Sequence, residues 1–310
     1  MKRVIFVGGT EFSGSTFFHM ILANDPAGFA IGEAHNYLRP SQPHHFDMLC
    51  SCGAQPCQIW QEIALVDEKN LYQSLFDRFP EVEFIVDYSK NAVWIKDQVA
   101  NLNRQGIIAQ HILMWKTPFE FAHSYNKRGN IDAWRSSWVS YHRLYRTFFT
   151  EWRAIRYANF ANERSALQTV CSYLRIPYFP NKEKYWHKTH HVIGGNPSAR
   201  VHLYEDSSLH YQENVQRSSS KIEASEKGVH QSIFYESELD ADLQARVQRQ
   251  IDNNPHVAAI LDMLEARDIT QSGDYSQSGA PLTLSYPLIQ LRRLKYLLVR
   301  RIAARRYDSA

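Results

Sequence analysis

Short, unbroken apolar runs recur along the first third of the chain, separated by longer stretches of mixed polarity. Val4-Ile5-Phe6-Val7 stops at Gly8-Gly9, and Phe29-Ala30-Ile31 stops at Gly32. Phe84-Ile85-Val86 and Ile112-Leu113-Met114-Trp115 are of the same kind. A run without alternation has no solvent face, which predicts strands covered on both sides as in a parallel sheet. Phe17 to Ala23 predicts a helix ending near Asp25-Pro26, and helical sequence separates the third and fourth runs. Strands alternating with helices predict an α/β fold: a P-loop-like, doubly wound, mainly parallel sheet flanked by helices.

Ile131, Trp134, Trp138, Tyr141, Tyr145, Phe148, Trp152 and Ile155 are spaced by alternating steps of three and four. That pattern predicts one amphipathic helix over 131–155, with Arg135, Arg143, Arg146, Arg153 and Arg156 on its opposite face. Arg39 to Gln58 is rich in Pro, His and Cys and reads as a loop. Leu203 to Glu238 is polar and poorly periodic, as expected of a lid, and Leu239 to Arg267 is helical with a break at Asn253-Asn254-Pro255. A Gly/Ser-rich linker, Gln271 to Pro281, leads to a basic amphipathic segment over 288–306. The expected organisation is a core over 1–200, a lid and helical continuation of the same domain over 201–270, and a linker with a C-terminal helix over 271–310. That last helix would dock on its own domain or a second copy in a homodimer, or touch an anionic membrane surface weakly.

With 310 residues, 44% of them hydrophobic, the chain can build an ordinary core, and a net charge of +3 is too small to argue for nucleic acid as a partner. Four cysteines do not make a secreted disulfide scaffold at this size. The apolar run after Lys2-Arg3 is too short for a signal peptide, and no stretch reaches the roughly 18 apolar residues of a membrane span. The expectation is a soluble, cytoplasmic protein.

The most specific local signal is Gly9-Thr10-Glu11-Phe12-Ser13-Gly14-Ser15-Thr16, between the first strand and the first helix. It has the glycine spacing of a P-loop, in which backbone N–H groups and a helix N-terminus converge on an anion. Ser13, Ser15 and Thr16 add hydroxyl donors, whereas Ser15 stands where a P-loop NTPase carries its lysine. A triphosphate hydrolase or ordinary kinase is therefore disfavoured, and a donor with a shorter 5′ chain fits better. The plain alternative is a glycine-rich turn that binds nothing. After the fourth strand come Lys116, Ser124 and Arg128, with Ser124 and Arg128 four apart and so on one face of any helix there. Two cations and a hydroxyl would hold a phosphate dianion, or else form a solvated helix start.

This pair of signals resembles the 5′-phosphosulfate loop and the 3′-phosphate motif of the sulfotransferase superfamily, whose Arg…Ser…Arg set has the same spacings of eight and four. Ile155-Arg156-Tyr157 and Tyr173-Leu174-Arg175-Ile176-Pro177 are similar to its RYEDL…FLGIP segment, which implies that Tyr157 lies near the nucleotide. Cys50-Ser51-Cys52-Gly53…Cys57…Trp60 and His191-Val192-Ile193-Gly194-Gly195-Asn196-Pro197…Arg200 are similar to stretches of bacterial members. The resemblance covers roughly residues 3 to 200. It implies 3′-phosphoadenosine 5′-phosphosulfate as co-substrate and adenosine 3′,5′-bisphosphate as product. It also implies a nucleotide site of Phe12, Ser13, Gly14, Ser15, Thr16, Lys116, Ser124, Arg128, Tyr157, Asn196 and Arg200. Two residues depart from the pattern: Phe12 stands where Lys or Arg is frequent, and Lys116 replaces an arginine, keeping charge but losing the bidentate fork.

Glu33, in Ile31-Gly32-Glu33, matches the glutamate of a Gly-Glu motif in tyrosylprotein and many bacterial sulfotransferases, which implies a general base. A helix cap or salt bridge is the plain alternative for Glu33, and His35 is the alternative base. Lys90 resembles a lysine on the leaving-group side of the donor. No metal is required by this chemistry; His44-His45…Cys50-x-Cys52-x4-Cys57 could hold zinc on ligand type alone, but its Cys-x-Cys spacing is unusual for zinc, and a structured loop or lid with reduced thiols is the plain alternative. The acceptor expected is a hydroxyl or amine of a small metabolite, with carbohydrate and lipid acceptors, a nucleotide kinase and a catalytically dead nucleotide-binding or scaffold protein as the competing readings.

Overall fold

Five parallel strands, β1 (Arg3–Gly8), β2 (Gly28–Gly32), β3 (Phe84–Asp87), β4 (Ile108–Trp115) and β5 (Arg153–Arg156), make one sheet in the order β2-β3-β1-β4-β5. The computed structural model describes residues 1–205, 208–217 and 241–271, so the predicted linker beyond Gln271, the basic tail and the polar segment from 218 onward lie outside the described residues. Thirteen helices are described: α1 (Ser15–Leu22), α2 (Ala34–Leu38), α3 (Gln58–Ile63), α4 (Leu71–Arg78), α5 (Ala92–Gln105), α6 (Pro118–Asn126), α7 (Trp134–Phe148), α8 (Tyr157–Asn162), α9 (Arg164–Leu174), α10 (Pro197–Arg200), α11 (Leu209–Arg217), α12 (Ala241–Asp252) and α13 (Pro255–Glu265).

β1 is central because Val4, Ile5, Phe6 and Val7 are fully buried, and side chains alternate across a strand. Val4 and Phe6 face a layer with Trp94, Trp134, Trp138 and Tyr145, whereas Ile5 and Val7 face one with Phe18, Ile21, Val170 and Leu174. The sheet is thus covered on both faces, which is why its strands read as continuous apolar runs. Gly8 closes β1 because the Tyr145 ring occupies the place of a side chain, with Cε2 at 2.4 Å from an added Cβ.

The order of strands decides where a ligand sits. From β1 the chain crosses to the β2 edge, whereas from β3 and from β4 it runs the other way. Connections that diverge from neighbouring strands leave a crevice beyond their carboxyl ends, the usual ligand position in open α/β sheets. The loop after β1 therefore lies between the ends of β3 and β4, flanked by Lys90 and by Lys116.

All four apolar runs are strands, but the predicted 131–155 helix is not one element. α7 stops at Phe148, Phe149 turns extended, and Arg153, Ile155 and Arg156 belong to β5. The three-four spacing continued by coincidence, because Trp152 and Ile155 are buried in a loop and a strand. Ladder hydrogen bonds to β4 on one side, and a bridge from Ala154 to the 267–269 segment on the other, outweigh the helical pattern. The helix break expected at Asn253-Asn254-Pro255 is present, and Pro118 and Pro255 each take the first helical position behind Thr117 and Asn254 caps.

Candidate functional site

The Gly9–Thr16 loop carries unpaired donors. Gly14, at φ 84°, is the N-cap of α1 and leaves its first turn without a side-chain cap. The buried hydroxyls of Thr10 and Ser13 have no hydrogen-bond partner among the described residues. Orphaned N–H and O–H groups at a helix N-terminus, with no acidic residue in the first turn, favour an anion. Ser15 is buried in that first turn, and the Thr16 hydroxyl is already engaged, accepting from Asn196 N at 3.2 Å.

Lys116 leads from β4 into α6, whose start is fixed by a capping box between Thr117 and Glu120. Ser124 Oγ is turned inward, donating to the Glu120 carbonyl at 3.0 Å. Arg128 lies past the end of α6, not on its face as the spacing suggested; its guanidinium donates to the Ser124 carbonyl at 2.5 Å and stacks 3.6 Å from the Phe12 ring centroid. Phe12, in the left-handed region at φ 61°, thereby carries this cation at the edge of the loop where the lysine of the resemblance is missing. Tyr157 joins the two halves. Its ring fills the side-chain space of Gly14, with Cε2 at 2.1 Å from an added Cβ, and carries Lys116 Nζ 4.8 Å from its centroid. Burial, with Arg128 and Lys127 nearby, pushes the Lys116 ammonium down to about 8, and burial pushes the Tyr157 hydroxyl up to about 12.

On the other flank, Lys90 takes φ 60° after β3, with Nζ over the Tyr88 ring at 5.4 Å. Burial lowers its pKa, against the pull of the Glu33 and Glu11 carboxylates. Glu33 is set by the 192–195 segment, which adds to the end of β2: Ile193 N donates to Ile31 O at 3.2 Å and Glu33 N to Ile193 O at 2.9 Å. Its carboxylate accepts from Asn36 Nδ2 at 2.9 Å and lines a cavity of about 310 Å³. Asp47, Met48, Arg200, Tyr204 and Glu213 also line that cavity. Glu33 occupies the N-cap position of α2 yet makes no side-chain cap bond, so its carboxylate is not spent on the helix backbone. His35 does not line the cavity; its ring packs edge-on against Trp94 and its backbone N–H donates to Ser89 Oγ at 3.1 Å.

Asn196 caps α10, accepting from Ser198 N at 3.0 Å, and Arg200 reaches from α10 to the Gly194 carbonyl and the Tyr204 hydroxyl. The structure thus brings the loop, Lys90, Lys116, Arg128 and Tyr157 to one end of the sheet, and Glu33 and Arg200 to the adjoining cavity. Sequence reasoning missed Tyr141, whose hydroxyl accepts from Gly9 N at 2.7 Å and donates to the Lys90 carbonyl at 3.0 Å. Its place in an apolar stripe disguised a residue that ties the loop to the Lys90 turn. Asp47 and Glu213 were missed as well, having no local pattern.

No protein-family model matches the chain, and no curated protein matches it in sequence. Among solved structures it is similar to the sulfotransferase domain from the curacin biosynthetic pathway, with TM-score 0.44 and 13% identity, covering 82% of this chain and 99% of that one. It is also similar to the sulfotransferase domain from the Synechococcus PCC 7002 olefin synthase, with TM-score 0.43 and 12% identity over 82% of this chain and 96% of the other. A third is sulfotransferase STF9 from Mycobacterium avium, with TM-score 0.36 and 9% identity over 82% and 77% of the two chains. At these scores the likeness carries no argument about chemistry. Among the described residues no helix is long and apolar enough to cross a membrane.

Proposed function

We propose that this protein is a sulfotransferase that moves a sulfuryl group from 3′-phosphoadenosine 5′-phosphosulfate to a hydroxyl or amine of a small metabolite. The observation that carries the reading is the adjacency of two anion cradles: the uncapped start of α1 with its orphaned Ser13 and Thr10 hydroxyls, and Lys116 with Arg128 beyond β4. Adjacent cradles suit a ligand phosphorylated at two places, with Tyr157 as the wall between them. In this reading the loop receives the 5′-phosphosulfate, and Lys116, Ser124 and Arg128 receive the 3′-phosphate.

Transfer is in line. Glu33 takes the proton of the acceptor as the new bond to sulfur forms, and the bond between sulfur and the bridging oxygen breaks with its electron pair leaving on the 5′-phosphate. Lys90 offsets the charge arriving on that oxygen, and the α1 N–H groups offset charge on the transferring oxygens. The acceptor enters through the cavity beside Glu33, where Asp47 and Glu213 suit a polyhydroxylated or amino-bearing molecule. Asp87 speaks against the kinase reading. This strand-end carboxylate next to the loop is buried and already accepts from Tyr72 Oη and Ser89 N, each at 2.6 Å, which leaves it walled off from a magnesium ion.

Calorimetric titration with adenosine 3′,5′-bisphosphate, against ATP with magnesium, tests the reading. Tight binding of the bisphosphate that is lost in Ser124→Ala/Arg128→Ala supports it. Preference for ATP with magnesium, or no binding of the bisphosphate, refutes it.

A further inference from the structure

The loop between α2 and α3 and the segment before α10 meet around four side chains that the proposed transfer does not use. The Sγ atoms of Cys50, Cys52 and Cys57 and a ring nitrogen of His191 all lie within 4.8 Å of one another, and every one of these cysteines is a free thiol. His191 Nδ1 is 3.8 Å from Cys50 Sγ and 3.6 Å from Cys57 Sγ. One imidazole nitrogen has one in-plane lone pair and accepts one hydrogen, so two sulfurs at this range are not explained by S–H donation. A tetrahedral zinc explains them. Bonds of about 2.3 Å to sulfur and about 2.0–2.1 Å to nitrogen set S···N edges of about 3.5 Å and S···S edges of about 3.8 Å. The widest pair then has to close by only about 1 Å.

We propose that Cys50, Cys52, Cys57 and His191 form a closed structural zinc site that clamps one wall of the cavity beside Glu33. Four protein ligands leave no open position, so the ion is not a reactant, and three thiolates with one imidazole suit zinc rather than a hard cation. Binding one Zn²⁺ releases the three thiol protons and leaves a site of net charge −1. His44 and His45, nearer in sequence, are not in the cluster; the histidine that joins it is 134 residues beyond Cys57, which is why spacing alone argued against a metal.

The surroundings are built for the ligands. Cys52 N–H is directed at the Cys50 sulfur, and Gly53, at φ 78°, makes the turn that brings both thiols to one side. Cys57 is held as the N-cap residue of α3. Trp60 Nε1 donates to the His191 carbonyl at 2.8 Å, and the His191 ring lies parallel to Phe29. Between the two segments, Ser51 N donates to Val192 O at 2.8 Å, and Ser51 Oγ donates to His190 O at 2.6 Å while accepting from Val192 N at 2.9 Å. The clamped segments carry Met48 and Leu49 on one side and Gly194 and Gly195 on the other, all facing the cavity. The backbone of Ile193, which orients Glu33, lies between them.

The test is elemental analysis of the full chain, purified under reducing conditions without a metal-affinity step and dialysed against zinc and then metal-free buffer. One equivalent of zinc per chain is expected, lost in Cys52→Ser and in His191→Ala. Chelator-stripped wild-type protein refilled with Co²⁺ should show thiolate-to-cobalt charge transfer and the strong visible bands of a tetrahedral site, so the outcome does not hang on a variant that folds. A chain that keeps well under one equivalent and gives no cobalt–thiolate band overturns the proposal. So does full zinc retention in Cys52→Ser, or an intact mass showing two of these three cysteines joined as a disulfide in the native protein.

Discussion

On the proposed reading, the depressed ammonium of Lys116 makes nucleotide affinity depend on pH in a calculable way. Burial holds it at about 8, from an ordinary 10.5. In the free protein it is about nine-tenths charged at about pH 7 and about one-tenth charged at about pH 9. A phosphate dianion beside it keeps the proton on in the complex, so binding takes up a proton as the pH passes 8 and affinity falls. The expected weakening of bisphosphate binding between about pH 7 and about pH 9 is about tenfold. Calorimetry in buffers of different ionisation enthalpy should report the proton uptake directly. Lys116→Arg keeps its charge throughout and should flatten the profile. Equal slopes in wild type and Lys116→Arg would falsify the assignment, as would a wild-type change of less than about twofold. The same depression has a stability sign: between the folded pKa and the unfolded 10.5 the unfolded chain holds more protons, so stability rises with pH across that window.

Glu33→Gln keeps the shape and removes the proposed base; turnover should fall by about 10²–10⁴ while bisphosphate affinity stays near wild type, measured by single-turnover assay beside calorimetry. Tyr141→Phe strands the Gly9 N–H and the Lys90 carbonyl; a loss of about 1–3 kcal/mol in urea unfolding is expected, together with weaker bisphosphate binding. Gly14→Ala forces a left-handed alanine against the Tyr157 ring and should abolish bisphosphate binding. Gly106→Ala is its control, at φ 70° with open space around it. It should lose about 1–2 kcal/mol of stability and bind normally.

How much of this was legible beforehand divides along the range of the forces involved. Stretches buried on both faces must be apolar, so β1 to β3 and the second half of β4 were written locally, as were the break before Pro255 and the glycine loop at the head of α1; the first half of β4, from Ile108 to His111, is partly exposed and carries no such run. The sequence also placed Lys116, Ser124 and Arg128 by spacing, though not the stacking of Arg128 on Phe12, which depends on where α6 ends. β5 was hidden because Trp152 and Ile155 satisfy a helical period by chance, and only the open edge of β4 could tell them apart. The placement of Glu33 and His35 had the same character: two residues apart in sequence, one carboxylate lines the cavity and one imidazole packs on Trp94. Tyr141 and His191 were illegible for a related reason, since their partners lie far away along the chain. What a residue can do, donate, accept or ligate, is fixed by its type and so by the sequence. Which residues meet was decided only when the parallel sheet brought the ends of its strands together.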